Sequence, residues 1–579
     1  MTTHPGKRIV EQPFKHLRAA FPALGGAVAL VCLLLPAQIT TARTSRDAGP
    51  HYVTLVNLSA TAWVRNFNPF VPGDVESNQG GIYEPLYIIT TAGGGHTYPW
   101  LATAYTWADG NKTLLVTIRK GVKWSDGVPF TPRDVLFTFT YGKTYPGADQ
   151  QGLWSGGHLA SVNLVGADKV ALHFKTVDTT VLPQVIDLIK ILPEHIWAKI
   201  KTPLTYTNTN PVGTGPFTQV VKFAAQEYIL GKNPTYWQPG QPKVDGLRVP
   251  LYTSSDSNYL ALDSGAVDWT QDFVPSVEQT YVRRDPAHNH YFFATNTAPV
   301  ALFFNNEKYP YSLVDFRKAI SHAIDRKKIW QIGEYGYEPP SDVVGVSAAW
   351  PAWMDKSLVA QAKDAAIYDP QRAKSMLTKA GFTYKGGLLY DPKGHNVTVE
   401  LGVPHDWPDF VTNCQIMQKE LSAIGIQTTI KTFIDSDWTD KSSKGVLVAH
   451  LNFPNAGSTP YYYFYGFMSK ESYVPTGQQA NGNGQTNFER WWSPQATDLL
   501  AQFRHTTDVT TQKAIAAKLE KIQLDNMPII PLMYSANWYT YNTKRFTGWP
   551  TPDNYYAIGG PGYTYPDFLK VMVSIKPVP

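Results

Sequence analysis

Seven short motifs, most of them rich in Gly, Pro or aromatic residues, are spaced along the chain between residues 83 and 374. Residues of these types mark turns and the ends of strands and helices, because Gly permits left-handed backbone and Pro fixes φ. The motifs therefore predict a chain divided into many short elements. They are residues 83–86 (YEPL), 121–131 (GVKWSDGVPFT) followed by 134–135 (DV), 192–197 (LPEHIW), 211–217 (PVGTGPF), 233–237 (NPTYW), 317–326 (RKAISHAIDR) and 368–374 (YDPQRAK).

The segments between these motifs predict both strands and helices. Alternating apolar residues predict strands at 51–58, 112–120, 170–174 and 247–251. Thr131 before Pro132, and Asp369 before Pro370, are typical N-caps with Pro in the first helical turn. Apolar stripes at helical spacing predict further helices at 316–324, 410–424 and 511–524. Strands and helices alternate without strict βαβ regularity, which predicts mixed sheets in an α/β protein.

Length and composition limit the possible classes. A chain of 579 residues is too long for one hydrophobic core, so at least two lobes are expected. The net charge of +5 is mild for this length, and no basic run follows the N-terminus. Nucleic acid is therefore not predicted as a partner.

The N-terminus predicts export. Four basic residues precede the mostly apolar stretch 21–35, and Ala42 offers a small residue for cleavage. Residues 1–42 are therefore interpreted as a signal peptide and 43–50 as a tether, which places the protein outside the cytoplasm, secreted or at the outer face of the membrane. The alternatives are an uncleaved N-terminal membrane anchor and lipid attachment at Cys32. The basic residues are Lys7, Arg8, Lys15 and Arg18.

The two cysteines predict no disulfide in the mature chain. Cys32 would leave with the signal peptide, so Cys414 would remain alone. Cys414 lies on the helical stripe at 410–424, which favours a buried structural thiol over a nucleophile.

No motif predicts catalysis, a cofactor or a metal. Residues 213–216 (GTGP) lack the Lys and Ser/Thr of a phosphate loop, and no Gly-x-Ser-x-Gly elbow is present. His288 and His290 have no Cys or carboxylate cluster beside them to complete a tetrahedral metal site.

The order and spacing of the seven motifs resemble the family 5 extracytoplasmic solute-binding proteins, the oligopeptide- and dipeptide-binding class of ABC importers. The resemblance implies a two-lobed, type II periplasmic-binding-protein-like α/β fold with an extra subdomain and a hinge between the lobes. It also implies a monomer that captures a small-molecule solute, delivers it to the membrane permease subunits of an ABC transporter and is not an enzyme.

The same resemblance implies the lobe boundaries. Lobe one would take residues 50–299, with a subdomain near 81–204, and the chain would return to lobe one at 537–579. Lobe two would take residues 300–536. The strands that cross between the lobes would lie near 301–305 and 529–532, which are short apolar runs as expected for strands buried at a hinge.

The segment 447–467 bears on the class of solute. Peptide binders of the family usually carry an Asp there that pairs with the α-ammonium of the peptide, whereas this segment contains no Asp or Glu. It reads Thr459-Pro460 followed by an unbroken run of aromatic residues, and a Gln- and Asn-bearing stretch follows at 477–483. This pattern is similar to the cellobiose-type branch of the family, so an oligosaccharide is predicted, with aromatic rings covering sugar faces. A peptide remains the alternative, and a secreted glycoside hydrolase and a loosely binding chaperone-like or adhesion protein are the rivals from other classes.

Nine residues are candidates for contact with the solute. They were chosen because they follow predicted strands, lie beside the predicted hinge or fall in the 447–467 segment, where loops commonly carry ligand contacts. They are Trp407, Tyr462, Trp538, Asn306, Asn305, Trp269, Trp63, Asn68 and Tyr461.

Overall fold

A computed structural model describes residues 49–56, 62–71, 81–346, 348, 350–480, 487–562 and 565–579. The predicted signal peptide, most of the tether, the end of the first predicted strand and part of the 477–483 stretch lie outside these residues. Residues 50–579 form one compact unit. Among the described residues, no helix combines the length and the apolar character needed to cross a bilayer.

Most strands of the described residues are short, whereas Ala294–Phe304 and Ile529–Asn537 are longer. The described strands are β1 (Tyr52–Val56), β2 (Tyr87–Thr90), β3 (His96–Pro99), β4 (Ala102–Ala108), β5 (Thr113–Ile118), β6 (Leu159–Val165), β7 (Lys169–Phe174), β8 (Phe217–Ala224), β9 (Glu227–Lys232), β10 (Gly246–Pro250), β11 (Trp269–Thr270), β12 (Asn289–Tyr291), β13 (Ala294–Phe304), β14 (Thr383–Lys385), β15 (Leu388–Tyr390), β16 (Thr398–Pro404), β17 (Gln427–Phe433), β18 (Ala449–Asn452), β19 (Ile529–Asn537), β20 (Thr540–Asn542), β21 (Phe546–Thr547) and β22 (Lys576–Pro577).

The helices of the described residues alternate with these strands. They are α1 (Pro132–Thr144), α2 (Val181–Ile186), α3 (Glu194–Trp197), α4 (Ser255–Asp263), α5 (Val277–Thr280), α6 (Val314–Ala323), α7 (Arg326–Lys328), α8 (Val359–Asp364), α9 (Pro370–Lys379), α10 (Pro408–Ala423), α11 (Asp435–Ser443), α12 (Pro460–Met468), α13 (Pro494–His505), α14 (Val509–Asn526) and α15 (Asp567–Ser574). A π-helical turn, Ile329–Gly333, follows α7. The short 3-10 turns of the described residues are Ala92–Gly94, Pro146–Ala148, Pro203–Thr205 and Val282–Arg284.

Lobe one is built on a mixed seven-stranded sheet. Its strand order is β12-β20-β11-β1-β10-β9-β8, and β1 pairs in parallel with both β10 and β11. The C-terminal part of the chain returns to this lobe, because β20 pairs with β11 and β12. A continuous core of buried residues in this lobe includes Trp269, Phe217 and Phe568.

A subdomain of lobe one carries its own antiparallel sheet, in the order β4-β5-β7-β6. The predicted alternation is observed on β5, where Leu114, Val116 and Ile118 are buried. Helix α1 starts at the predicted cap: Thr131 Oγ1 accepts from Arg133 N–H at 3.3 Å, and Thr131 N–H donates to Asp134 Oδ2 at 2.8 Å.

Lobe two is built on a five-stranded sheet in the order β17-β16-β18-β13-β19. Strand β16 is parallel to β17 and β18, whereas β13 is antiparallel to β18 and β19. The helices α6 and α8 to α14 pack around this sheet, and the core includes the buried thiol of Cys414, as predicted.

The two sheets are connected through two long, paired strands. Strand β13 follows β12 of the other sheet after residues 292–293, and β19 precedes β20 across residues 538–539. Both predicted crossing runs, 301–305 and 529–532, fall largely within these strands and are buried. The lobe boundaries at 299/300 and 536/537 stay a proposal. The mixed α/β architecture predicted from the sequence is confirmed.

Candidate functional site

The boundary between the two lobes, called the cleft below, is the candidate binding site. In lobe two the parallel strands β16, β17 and β18 end at the same edge, and their following loops begin at residues 405, 434 and 453. In lobe one the parallel pair β1 and β11 ends at Val56 and Thr270. Ligands of α/β proteins bind outside the carboxyl ends of parallel strands. Ser255 Oγ of lobe one donates to the carbonyl oxygen of Asp406 of lobe two at 3.0 Å, which brings these loops together across the cleft.

Carboxyl groups from both lobes lie close enough in this region to affect one another's pKa. Asp272 follows β11 and accepts from Thr270 Oγ1 and, at 3.3 Å, from Asn258 Nδ2. Burial raises the pKa of Asp272 to about 6, and the charge of Asp406 acts in the same direction. Burial and the charge of Asp406 also raise the pKa of Asp435. Asp406 Oδ1 has no hydrogen-bond partner among the described residues. The cleft is therefore more acidic than the 447–467 segment alone indicated.

A second group of carboxyls, Glu334, Glu338 and Asp409, supports the hinge. The backbone N–H of Ala536 on β19 donates to Glu338 Oε1 at 2.6 Å, and Asn413 Nδ2 on α10 donates to Glu334. Burial raises the pKa of Glu334 and Glu338 well above the usual range, and the charge of Asp409 adds to this. Neutral carboxyls at these positions hold the 334–338 segment against a crossing strand without a large desolvation cost.

Aromatic rings surround Trp538 where the chain crosses between the lobes. Its ring lies edge-on to Phe273 at 5.2 Å and to Phe293 at 4.8 Å. Tyr337 of lobe two packs on Phe293 at 5.2 Å, and its Oη accepts from Val277 N–H at 2.7 Å. Trp538 is half-buried, so this cluster presents an aromatic surface next to the hinge.

Trp407 presents a second half-buried aromatic ring, on the lobe-two side. It lies immediately before α10, at 5.2 Å from Phe410 and 5.4 Å from Trp438. Its neighbour Asp406 makes the contact with Ser255 across the cleft. The structure thus places the ring beside the inter-lobe contact.

The other predicted residues occupy structural positions in this conformation. Trp269 stacks on Phe568 at 5.5 Å and donates to the carbonyl oxygen of Gly559, and buried Trp63 packs on Tyr228. The amides of three asparagines donate to backbone carbonyls: Asn68 to Pro203 and Tyr206, Asn305 to Gly445, and Asn306 to Pro528.

The two candidate tyrosines of the 447–467 segment, Tyr461 and Tyr462, make different contacts, and neither contact involves the cleft acids. Tyr461 is buried and stacks on Tyr465 at 5.5 Å. Tyr462 donates its hydroxyl to the carbonyl oxygen of Thr180 in the subdomain at 2.5 Å. Of the nine candidates, Trp407, Trp538 and Tyr462 keep part of their surface exposed, and contact with solute stays a prediction for all nine.

Sequence reasoning missed the cleft acids Asp272 and Asp435. The signal was present, because each follows a strand at its carboxyl end, the criterion that selected Trp407. Within the described residues, no group of three or more His, Cys, Asp or Glu side chains could hold a metal ion.

Comparison with known proteins places these features in a family context. Residues 96–473 match the model of the bacterial extracellular solute-binding proteins, family 5 (middle region). A probable ABC transporter-binding protein of Deinococcus radiodurans is 23% identical over 76% of this chain and 80% of its own length. A putative ABC transporter peptide-binding protein of Brucella ovis is 31% identical over 45% of this chain and 47% of its own.

A solved structure matches almost the whole described fold. It is the periplasmic oligopeptide-binding protein of a Thermotoga maritima ABC transporter with bound mannohexaose. The TM-score is 0.79 at 25% identity, and the match covers 91% of this chain and 99% of that one.

Proposed function

The chain belongs to the bacterial extracellular solute-binding proteins of family 5, and we propose that its solute is an oligosaccharide. Members of the family are the non-enzymatic, extracytoplasmic binding components of ABC importers. The protein is therefore a substrate-binding component that works with a membrane permease, and the hydrolase alternative is not supported.

The observation that carries the choice of solute is the lack of acidic residues in the segment that contains β18, the loop after it and most of α12. Residues 447–467 contain no Asp or Glu, so the acid that usually pairs with a peptide α-ammonium in this family is missing at that position. The similar Thermotoga maritima protein, although described as oligopeptide-binding, holds mannohexaose. Half-buried Trp407 and Trp538 offer flat apolar surfaces of the kind that cover sugar rings.

Binding proceeds by closure of the two lobes. A solute that contacts loops of both lobes only when they are shut favours the closed state by its differential affinity. In this scheme Trp407 contacts the solute from lobe two and Trp538 contacts it beside the hinge. The N-terminal segment directs export of a monomer, and the lobes divide at 299/300 and 536/537.

An oligopeptide is the second candidate, favoured by a different observation. Asp272, Asp406 and Asp435 bring negative charge from both lobes to one region of the cleft. A peptide ammonium would satisfy Asp406 Oδ1, which has no partner among the described residues. The Brucella ovis relative is also described as peptide-binding.

Native mass spectrometry of the purified protein, followed by calorimetric titration, tests the choice. A co-purified mass that matches a hexose series, and binding of manno- or cello-oligosaccharides but not of mixed tri- to pentapeptides, would support the oligosaccharide. A mass that matches amino-acid residues, with binding of peptides only, would refute it and leave the transport role intact.

A further inference from the structure

The subdomain contacts lobe two through a short segment, residues 178–180. Thr179 N–H donates to the carbonyl oxygen of Arg504 at 2.8 Å, and Thr179 Oγ1 donates to the same oxygen at 3.2 Å. Gln512 Nε2 donates to Thr179 Oγ1 at 3.1 Å, and Tyr462 Oη donates to the carbonyl oxygen of Thr180 at 2.5 Å. Four hydrogen bonds thus join the subdomain to α12, α13 and α14 of lobe two.

The subdomain side of this contact is held in shape by Asp178. Its Oδ1 accepts from Thr180 N–H at 2.9 Å and from Thr180 Oγ1 at 2.7 Å, and Oδ2 lies 3.1 Å from His158 Nδ1. Asp178 is buried, so these bonds are shielded from solvent. The backbone groups of Thr179 and Thr180 are therefore oriented before they meet lobe two.

The lobe-two side is also fixed within its own lobe. The Arg504 guanidinium makes a bidentate pair with Glu471 at 2.9 and 3.0 Å. Gln512 Nε2 donates to the carbonyl oxygen of Thr506 at 2.9 Å, in addition to its bond with Thr179. Both surfaces thus lose little side-chain freedom when they come together.

None of these residues lies on the strands that connect the lobes, so rotation of the lobes about those strands separates the two surfaces. We propose that residues 178–180 and the Tyr462–Arg504–Gln512 surface form an inter-lobe latch that stabilises the closed conformation without solute. The latch accounts for Tyr462, which the sequence pattern had assigned to the solute. The proposal of a latch rests on lobe closure and not on the class of solute.

The latch sets how much closed protein is present before solute arrives. One hydrogen bond changes the ratio of closed to open molecules by about fivefold, given its typical net contribution to stability. A larger closed fraction raises or lowers apparent affinity according to which conformation admits the solute. Distance measurement without any solute therefore tests the latch directly.

The experiment is double electron–electron resonance on the full chain with spin labels on Leu164→Cys in the subdomain and Val509→Cys in lobe two. Both sites are exposed, at 41% and 52%, whereas Cys414 is buried; Cys32 is replaced by serine. The expected result is a population at short distance in the parent protein. Tyr462→Phe and Thr179→Ala, one on each side, should each lower the closed-to-open ratio by about fivefold or more.

Tyr463→Phe is the matched control. It removes a hydroxyl from the same helix, but Tyr463 donates to the carbonyl oxygen of Val344 at 3.0 Å, within lobe two. Circular dichroism confirms that each variant folds. An unchanged distance distribution in both latch variants, an equal change in the control, or a parent protein that is wholly open without solute would overturn the latch. None of these outcomes depends on whether the solute is a sugar or a peptide.

Discussion

Replacement of His450 by phenylalanine is expected to make the stability of the protein less sensitive to acid. His450 lies on β18, is fully buried and stacks on Phe303 at 5.6 Å. Neither ring nitrogen has a hydrogen-bond partner among the described residues. Burial, followed by the nearby positive charge of Arg490, lowers the pKa of His450 to about 3.

The magnitude follows from proton linkage. An unfolded histidine has a pKa of about 6.5, so below that pH the unfolded chain binds a proton that the folded protein excludes until about pH 3. The free energy of unfolding therefore falls by about 1.4 kcal/mol for each pH unit below about pH 6.5. At about pH 5 the loss amounts to about 2 kcal/mol. Phenylalanine keeps the ring contact with Phe303 and does not titrate.

Urea unfolding followed by tryptophan fluorescence, at about pH 7 and about pH 5, measures the effect. The free energy of unfolding of His450→Phe minus that of the parent should increase by about 2 kcal/mol between about pH 7 and about pH 5, since titration of every other group cancels between them. His505→Phe, at an exposed position, is the control and should show no such increase. A difference that stays constant across this range would refute the assignment of His450 as a neutral core residue.

Three further predictions concern the cleft and the fold. Trp407→Ala should weaken binding of the solute by up to about tenfold, as expected for loss of one aromatic contact. Trp492→Ala, at a half-buried lobe-two site beside Lys470, should not weaken it. Equal calorimetric affinities for Trp407→Ala and the parent would remove Trp407 from the site. Because the pKa of Asp272 is raised to about 6, affinity for a cationic peptide should rise between about pH 5 and about pH 7.5. This rise should be smaller in Asp272→Asn, whereas affinity for a neutral oligosaccharide should stay level in both proteins. Thr131→Ala should lower the free energy of unfolding by about 1 kcal/mol through loss of the α1 cap, and unchanged urea midpoints would contradict that role.

Local signals in the sequence predicted much of the fold. The cap Asp369 accepts from Arg372 N–H at 2.8 Å at the start of α9, as its position before Pro370 predicted. The stripes at 316–324 and 511–524 correspond to α6 and α14, and the alternating run at 112–120 corresponds to β5. These elements follow from propensity and periodicity, which act over a few residues.

The site was less predictable because it depends on contacts between distant parts of the chain. Trp269 begins β11 and Trp407 follows β16, yet Trp269 is buried against Phe568 of the returning C-terminal segment whereas Trp407 remains half-buried. Tyr462 gave an aromatic signal, but its hydroxyl meets Thr180, which is 282 positions away. Sequence position identifies the edge of a sheet, whereas only tertiary packing decides which side chains reach the cleft.

Helix α15 has a consequence for how this protein matures. Phe568 and Met572 on this helix pack into the core of lobe one, while Leu569 and Val573 pack into the core of the subdomain. Both hydrophobic interiors therefore stay incomplete until α15 has been synthesised, and the sheet that contains β1 stays incomplete until β20 has been synthesised. Such long-range closure slows folding, so we expect the earlier segments of both cores to stay incompletely packed until α15 has been made.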